Sequence, residues 1–173
     1  MPCWPSRESI RRMVREGLVV RTDDGVMKEL PLRERLAWGV VEAAMIGDEA
    51  LIGELLDPDM EVPAAALIGA AEHGHVGVIK YLVARGADLN AVSQSGTTAL
   101  MAAAWSFQTE TVKALLSMGA DPGVRSTGGQ TALDVAREML ARHGRRLPHQ
   151  LELIRVLEAA ERRHDANAPD GTP

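Results

Sequence analysis

Leu67, Leu100 and Leu133 stand 33 residues apart, and they bring the same neighbours with them. Ala70-Ala71 and Ala103-Ala104 follow the first two at one fixed offset, Ala136 follows the third, and Thr98 and Thr131 precede their leucines by two. Gly86-Ala87-Asp88 returns as Gly119-Ala120-Asp121, again after 33 residues. A fixed period of this size marks a supersecondary unit stacked on copies of itself, since one such unit cannot bury its own apolar face. No other feature of the chain restricts its fold so strongly.

Each unit reads as two short helices and a turn. Thr98 opens a helix over 99–106, and the alanines within it let a neighbouring helix approach closely. A second helix, about 109–117, sets Val112, Leu115 and Leu116 on one face. Gly119 can take the left-handed conformation that ends a helix, and "ADPGVRSTGGQ" reads as a turn. Composition agrees: 46% of residues are hydrophobic but only 3% aromatic, so Ala, Leu, Val and Met must build a core of closely packed helices.

These residues resemble the ankyrin repeat, with its Thr-Pro-Leu-His start, paired alanines, Gly-His, apolar second helix and Gly-Ala-Asp before a hairpin loop. "AALIGAAEHGHVGVIKYLVARGADLNA" (65–91) carries the alanine pair, Gly74-His75 and the Gly-Ala-Asp ending. "TALMAAAWSFQTETVKALLSMGAD" (98–121) has the helix pair, with Phe107-Gln108 where the family prefers Gly-His. Two units are degenerate: 40–63 keeps Ala43-Ala44, Gly47-Asp48 and Leu55-Leu56, and 131–160 keeps the start, with a second helix about nine residues late. The resemblance implies an all-α solenoid over 37–160, with units at about 37–63, 64–96, 97–129 and 130–160. Atypical end units are expected where a solenoid meets solvent.

Residues 1–36 lie outside the repeat. They read as a helix from an N-capping Ser6 to Gly17, followed by a possible hairpin turning at Asp24-Gly25. This segment is either a cap on the first unit or a contact site of its own. Residues 161–173 are polar with Pro and Gly, and are expected to be a disordered tail.

Chemistry is hard to find. "STGG" (126–129) lacks the Lys of a phosphate loop and falls in the repeat turn, and no Gly-x-Ser-x-Gly elbow occurs. Cys3, the sole cysteine, excludes an internal disulfide and a cysteine zinc cluster. His75 falls at the family's Gly-His position, which implies hydrogen bonding between repeats. His143, His149 and His164 have no ligand spacing. The expectation is a non-catalytic chain with no metal and no cofactor. No apolar run approaches the roughly 18 residues of a membrane span, so the expected address is cytoplasmic.

Charge narrows the partner. Residues 36–100 hold nine acids against Lys80 and Arg85 alone, and 42–61 hold seven acids and no base. Nucleic acid is disfavoured, because phosphate contacts need clustered Lys and Arg. A protein partner with a basic edge fits, met by an acidic flank of Asp48, Glu49, Glu54, Asp57 and Asp59; a solvated face is the plainer reading.

The ankyrin resemblance implies that contacts come from the ends of the first helices and from the hairpin tips. Carried onto this chain, these are Met45, Ile46, Glu72, His73, Trp105, Ser106, Glu138 and Met139, with Glu61, Val62, Gln94, Ser95, Thr97, Thr127, Gly128 and Gln130 at the tips. Trp105 falls at the centre. It either anchors a partner, which is the expectation taken here, or folds over its neighbours with Phe107. Three roles stay open: a general interaction protein, an inhibitor or immunity protein of the bacterial ankyrin type blocking a toxin or effector enzyme, and an assembly protein self-associating through residues 1–36. The oligomeric state is not legible.

Overall fold

The computed structural model describes residues 5–17, 19–21, 27–143 and 147–167. Helix α1 (Arg7–Glu16) leads to a ribbon of β1 (Val19–Arg21) and β2 (Met27–Glu29), antiparallel with Val20 opposite Lys28. Helices then alternate: α2 (Leu32–Met45), α3 (Glu49–Leu55), α4 (Ala64–Glu72), α5 (Val76–Ala84), α6 (Ala99–Trp105), α7 (Thr109–Ser117), α8 (Ala132–His143) and α9 (Pro148–Asn167). The turn expected at Asp24-Gly25 lies outside the described residues.

The even-numbered helices from α2 to α8 stack in one layer and the odd-numbered ones from α3 to α9 in a second, each packing on its homologue in the next unit. The repeated residues explain the stacking. Ala43, Ala44, Ala70, Ala71, Ala103, Ala104 and Ala136 are fully buried, and so small a side chain lets successive helices approach closely. Gly69 carries this further: a Cβ there would lie 2.6 Å from Met45 Cγ, so the Met45 side chain seats directly over α4. The threonines act as caps. The Met101 amide donates to Thr98 Oγ1 at 3.2 Å, and Thr131 and Asp134 form a reciprocal box, each backbone amide donating to the other's side chain.

The turn between the two helices of a unit is also repeated. Gly47, Gly74 and Phe107 donate to the carbonyls of Ala44, Ala71 and Ala104, and Asp48, His75 and Gln108 donate to those of Ala43, Ala70 and Ala103. This double bond is the Schellman closure, which requires a left-handed residue. Gly47 and Gly74 supply it at φ +78 and +79, and Phe107 adopts φ +53 in the same place. That conformation is strained for a residue with a large side chain, and Phe107 holds it beside Trp105.

Two expectations shift. The first helix of the first unit starts at Leu32, ahead of the boundary expected at 37, because Leu32–Leu36 are good helix formers placed directly after Pro31. The fourth unit keeps its expected late second helix: it has Arg137-Glu138-Met139-Leu140 where the others turn, so α8 runs on to His143 and α9 starts at Pro148. Residues 161–167 are not a disordered tail: they continue α9 to Asn167. Leu153, Leu157 and Ala160 bury one face of that helix, and its polar end adds local bonds, with Arg163 Nε donating to the Ala159 carbonyl at 3.0 Å.

Helix α1 lies against α2, with Ser6 as its N-cap (Ser9 N to Ser6 Oγ, 3.2 Å) and Gly17 at its end. Ile10 and Val14 are buried there over Gly39, where a Cβ would lie 2.8 Å from Val14 Cγ2. Hence α1 covers the apolar side of the first unit. No helix among the described residues is long and apolar enough to cross a membrane.

Candidate partner-binding groove

A cavity of about 430 Å³ opens between α4, α6 and the first turn of α8 and the loop tips facing them. Ile68, Met101, Ala102 and Val135 make its apolar floor, Glu72 and Trp105 stand on neighbouring helices, and Ser95, Thr97, Ser126, Thr127, Gly128 and Gln130 form the opposite wall. Trp105 is 46% exposed, the most open aromatic side chain among the described residues. The wall is held from unit to unit. Ser93 and Thr97, then Ser126 and Gln130, close their loops by backbone bonds, and Thr127 donates both its amide (3.1 Å) and its hydroxyl (2.9 Å) to the Ser95 carbonyl. Gly96 permits this close approach, since a Cβ there would lie 2.6 Å from Thr127 N.

Of the residues expected to contact a partner, Glu72, Ser95, Thr97, Trp105, Thr127 and Gln130 come together around this one cavity, along with Gly128. Gln94 is exposed beside them on its tip, and Ser106 is half-buried as the C-cap of α6. His73 sits at the end of α4 with Nδ1 2.9 Å from the Gly69 carbonyl oxygen, its ring stacked on His75. Glu138 is at the margin, accepting from Gln130 Nε2 at 2.7 Å and from Arg142 at 2.6 Å.

Others do not belong. Met139 is buried: its offset from Ala136 predicts a groove position, but α8 continues through that point and turns Met139 onto the face it shares with Ala132 and Ala136. Met45 is half-buried over Gly69, and Ile46 and Val62 pack against the core. Glu61 is exposed but lies off the cavity. The floor residues were missed. Ile68 and Met101 follow the repeat leucines directly and sit one helical turn before Glu72 and Trp105, so the i, i+4 relation could have found them.

Part of the acidic flank is engaged within the chain. Asp48 caps α3 through the Leu51 amide (2.9 Å) and pairs with Arg7 Nε at 2.9 Å. Glu54 receives the Arg11 guanidinium on both oxygens, at 2.6 and 2.9 Å. Asp57 accepts the Asp59 amide, and the Glu49 carboxylate lies over Gly77. Asp48 and Glu54 are therefore satisfied by α1, which sequence order hides.

The hydrogen bond from Arg11 holds the Glu54 carboxyl below its ordinary value of 4.5, while the same bond raises the Arg11 guanidinium above its ordinary value. A carboxyl depressed in the folded state adds stability above its unfolded pKa and loses it as pH falls through the folded one. Arg11→Gln should accordingly move the Glu54 midpoint up toward 4.5, as read by carboxyl NMR titration. A midpoint unmoved by the substitution would mean that α1 is not docked through this pair.

His75 Nε2 lies 2.9 Å from the Met45 carbonyl oxygen, a bond between repeats, and Gln108 reaches the Glu72 carbonyl from the equivalent place one unit on. Among the described residues, no three His, Cys, Asp or Glu side chains gather as a metal site. A family model of ankyrin repeats, three copies, matches residues 40–126. The chain belongs to the ankyrin-repeat family. No curated protein matches it. Ankyrin-repeat proteins typically act as non-catalytic interaction modules, so this chain's partners are proteins.

Proposed function

We propose that this ankyrin-repeat chain works by stoichiometric capture of one protein partner in the groove centred on Trp105. The observation that carries this reading is the exposure of Trp105 over a formed apolar floor. A large aromatic side chain left open at a concavity is the kind of group in which interface energy concentrates. The family's ordinary role supports it independently.

Two further readings draw less support. Asp48 and Glu54, two acids of the flank that an inhibitor would present to a basic cleft, are engaged by Arg7 and Arg11, while Glu49, Asp57 and Asp59 stay exposed. Self-association through residues 1–36 would have to use a surface other than Ile10 and Val14, which are buried against α2. The groove reading needs neither.

Site-specific crosslinking tests it. A benzophenone amino acid placed at Gln94, on the groove rim, should give one covalent adduct in cells of the native host. The same group at Lys80, exposed on α5 in the other layer, should give none. Adducts from position 80 alone would refute the groove.

A further inference from the structure

We infer that the groove receives an arginine side chain of the partner, its guanidinium stacked on the Trp105 indole and bonded to the Glu72 carboxylate; this rests on the groove reading above. The first support is charge. Glu72 is the one ionic residue lining the cavity, and no Lys, Arg or His shares the lining. Other carboxylates near cations are already paired, as Glu54 is with Arg11, Glu152 with Lys113 and Glu158 with Arg137. Among the described residues, no donor reaches the Glu72 side chain.

The second support is position. Glu72 follows Leu67 by five residues, as Trp105 follows Leu100 and Glu138 follows Leu133, so the three stand at one level on α4, α6 and α8. Two carboxylates thus flank the indole. One oxygen of Glu138 takes the Gln130 amide and the other takes Arg142, which neutralises that side within the chain. The open carboxylate is on the α4 side alone, which fixes the direction a cation would take.

Chemistry selects arginine over lysine. A planar guanidinium can lie on the indole face while its edge donates to a carboxylate, and its methylene stem can cover Ile68 and Met101. An ammonium is compact and strongly hydrated, and gains less from stacking. Ser95 and Thr97 offer acceptors for the remaining N–H groups.

The test uses a phage-displayed library of random 12-residue peptides selected on the full chain. Enriched peptides should share one arginine and lose binding to Trp105→Ala. Exchanging that arginine for citrulline, which is neutral and of the same shape, should weaken affinity about tenfold. Glu72→Gln should weaken it equally, and the two changes together should not add. Glu72 is exposed at a helix end, so the variant keeps its fold, and the citrulline arm does not depend on the variant at all. Peptides that need Trp105 but share no cation, or share lysine, or bind Glu72→Gln unchanged, would overturn the arginine assignment and leave the groove standing. Failure to recover any Trp105-dependent peptide would overturn both.

Discussion

Leu100→Ala should lower the free energy of unfolding by about 2–5 kcal/mol, the range for emptying a closed leucine site. Leu100 is 2% exposed, and its helix α6 is clasped between α4 and α8. Its surroundings cannot collapse easily, because the buried alanines of α4, α6 and α8 already hold these helices close together. A domain of this size has about 5–15 kcal/mol of stability in all, so the loss is a large share of it. The position adds a second effect. In a solenoid each unit touches only its neighbours, so the weakened middle couples two halves less tightly. Urea unfolding followed by circular dichroism, and separately by tryptophan fluorescence, should show curves that coincide for the wild type and separate in the variant. A loss under about 1 kcal/mol would mean that the 33-residue period does not mark the core between units.

That period was legible because the repeat residues do one physical job at every recurrence. Alanines set the spacing of the helices, leucines fill the space between units, and a left-handed residue closes each Schellman turn. Phe107 shows the limit of the rule: the backbone geometry is kept at φ +53 although the glycine is not. What failed was inference by fixed offset. Met139 was placed by counting from Ala136, but no turn residue follows Arg137, and the continuing helix rotates Met139 inward. Met45 looked like a surface residue until Gly69, in the next unit, opened a seat for it. Two acids of the flank, Asp48 and Glu54, are engaged for a longer-range reason. Arg11 and Glu54 are 43 residues apart, and nothing in their local sequence says that α1 folds back beside α3. Groove residues on the tips were found because each tip is bonded to the next, which preserves the register from which they were read.

Trp105→Ala should separate binding from folding. Partner affinity is expected to fall by at least about 2 kcal/mol, roughly thirtyfold, as for a central aromatic anchor. Stability should fall by under about 1 kcal/mol, since the side chain is 46% exposed and removing it opens no closed cavity. The two aromatic residues of this turn divide the work. Phe107 packs against the core from its left-handed position, whereas Trp105, two residues earlier and still helical, lines the cavity with Ile68 and Met101. Had both rings folded down together, Trp105 would be buried like Leu100, and its truncation would cost several kcal/mol instead. Thermal unfolding of the two proteins side by side, then calorimetric titration with the captured partner, reads both quantities. A large loss of melting temperature with affinity retained would return Trp105 to the core and move the search for a contact surface to α1. Unchanged melting with lost affinity would assign to the groove the one position at which the third unit departs most from its neighbours.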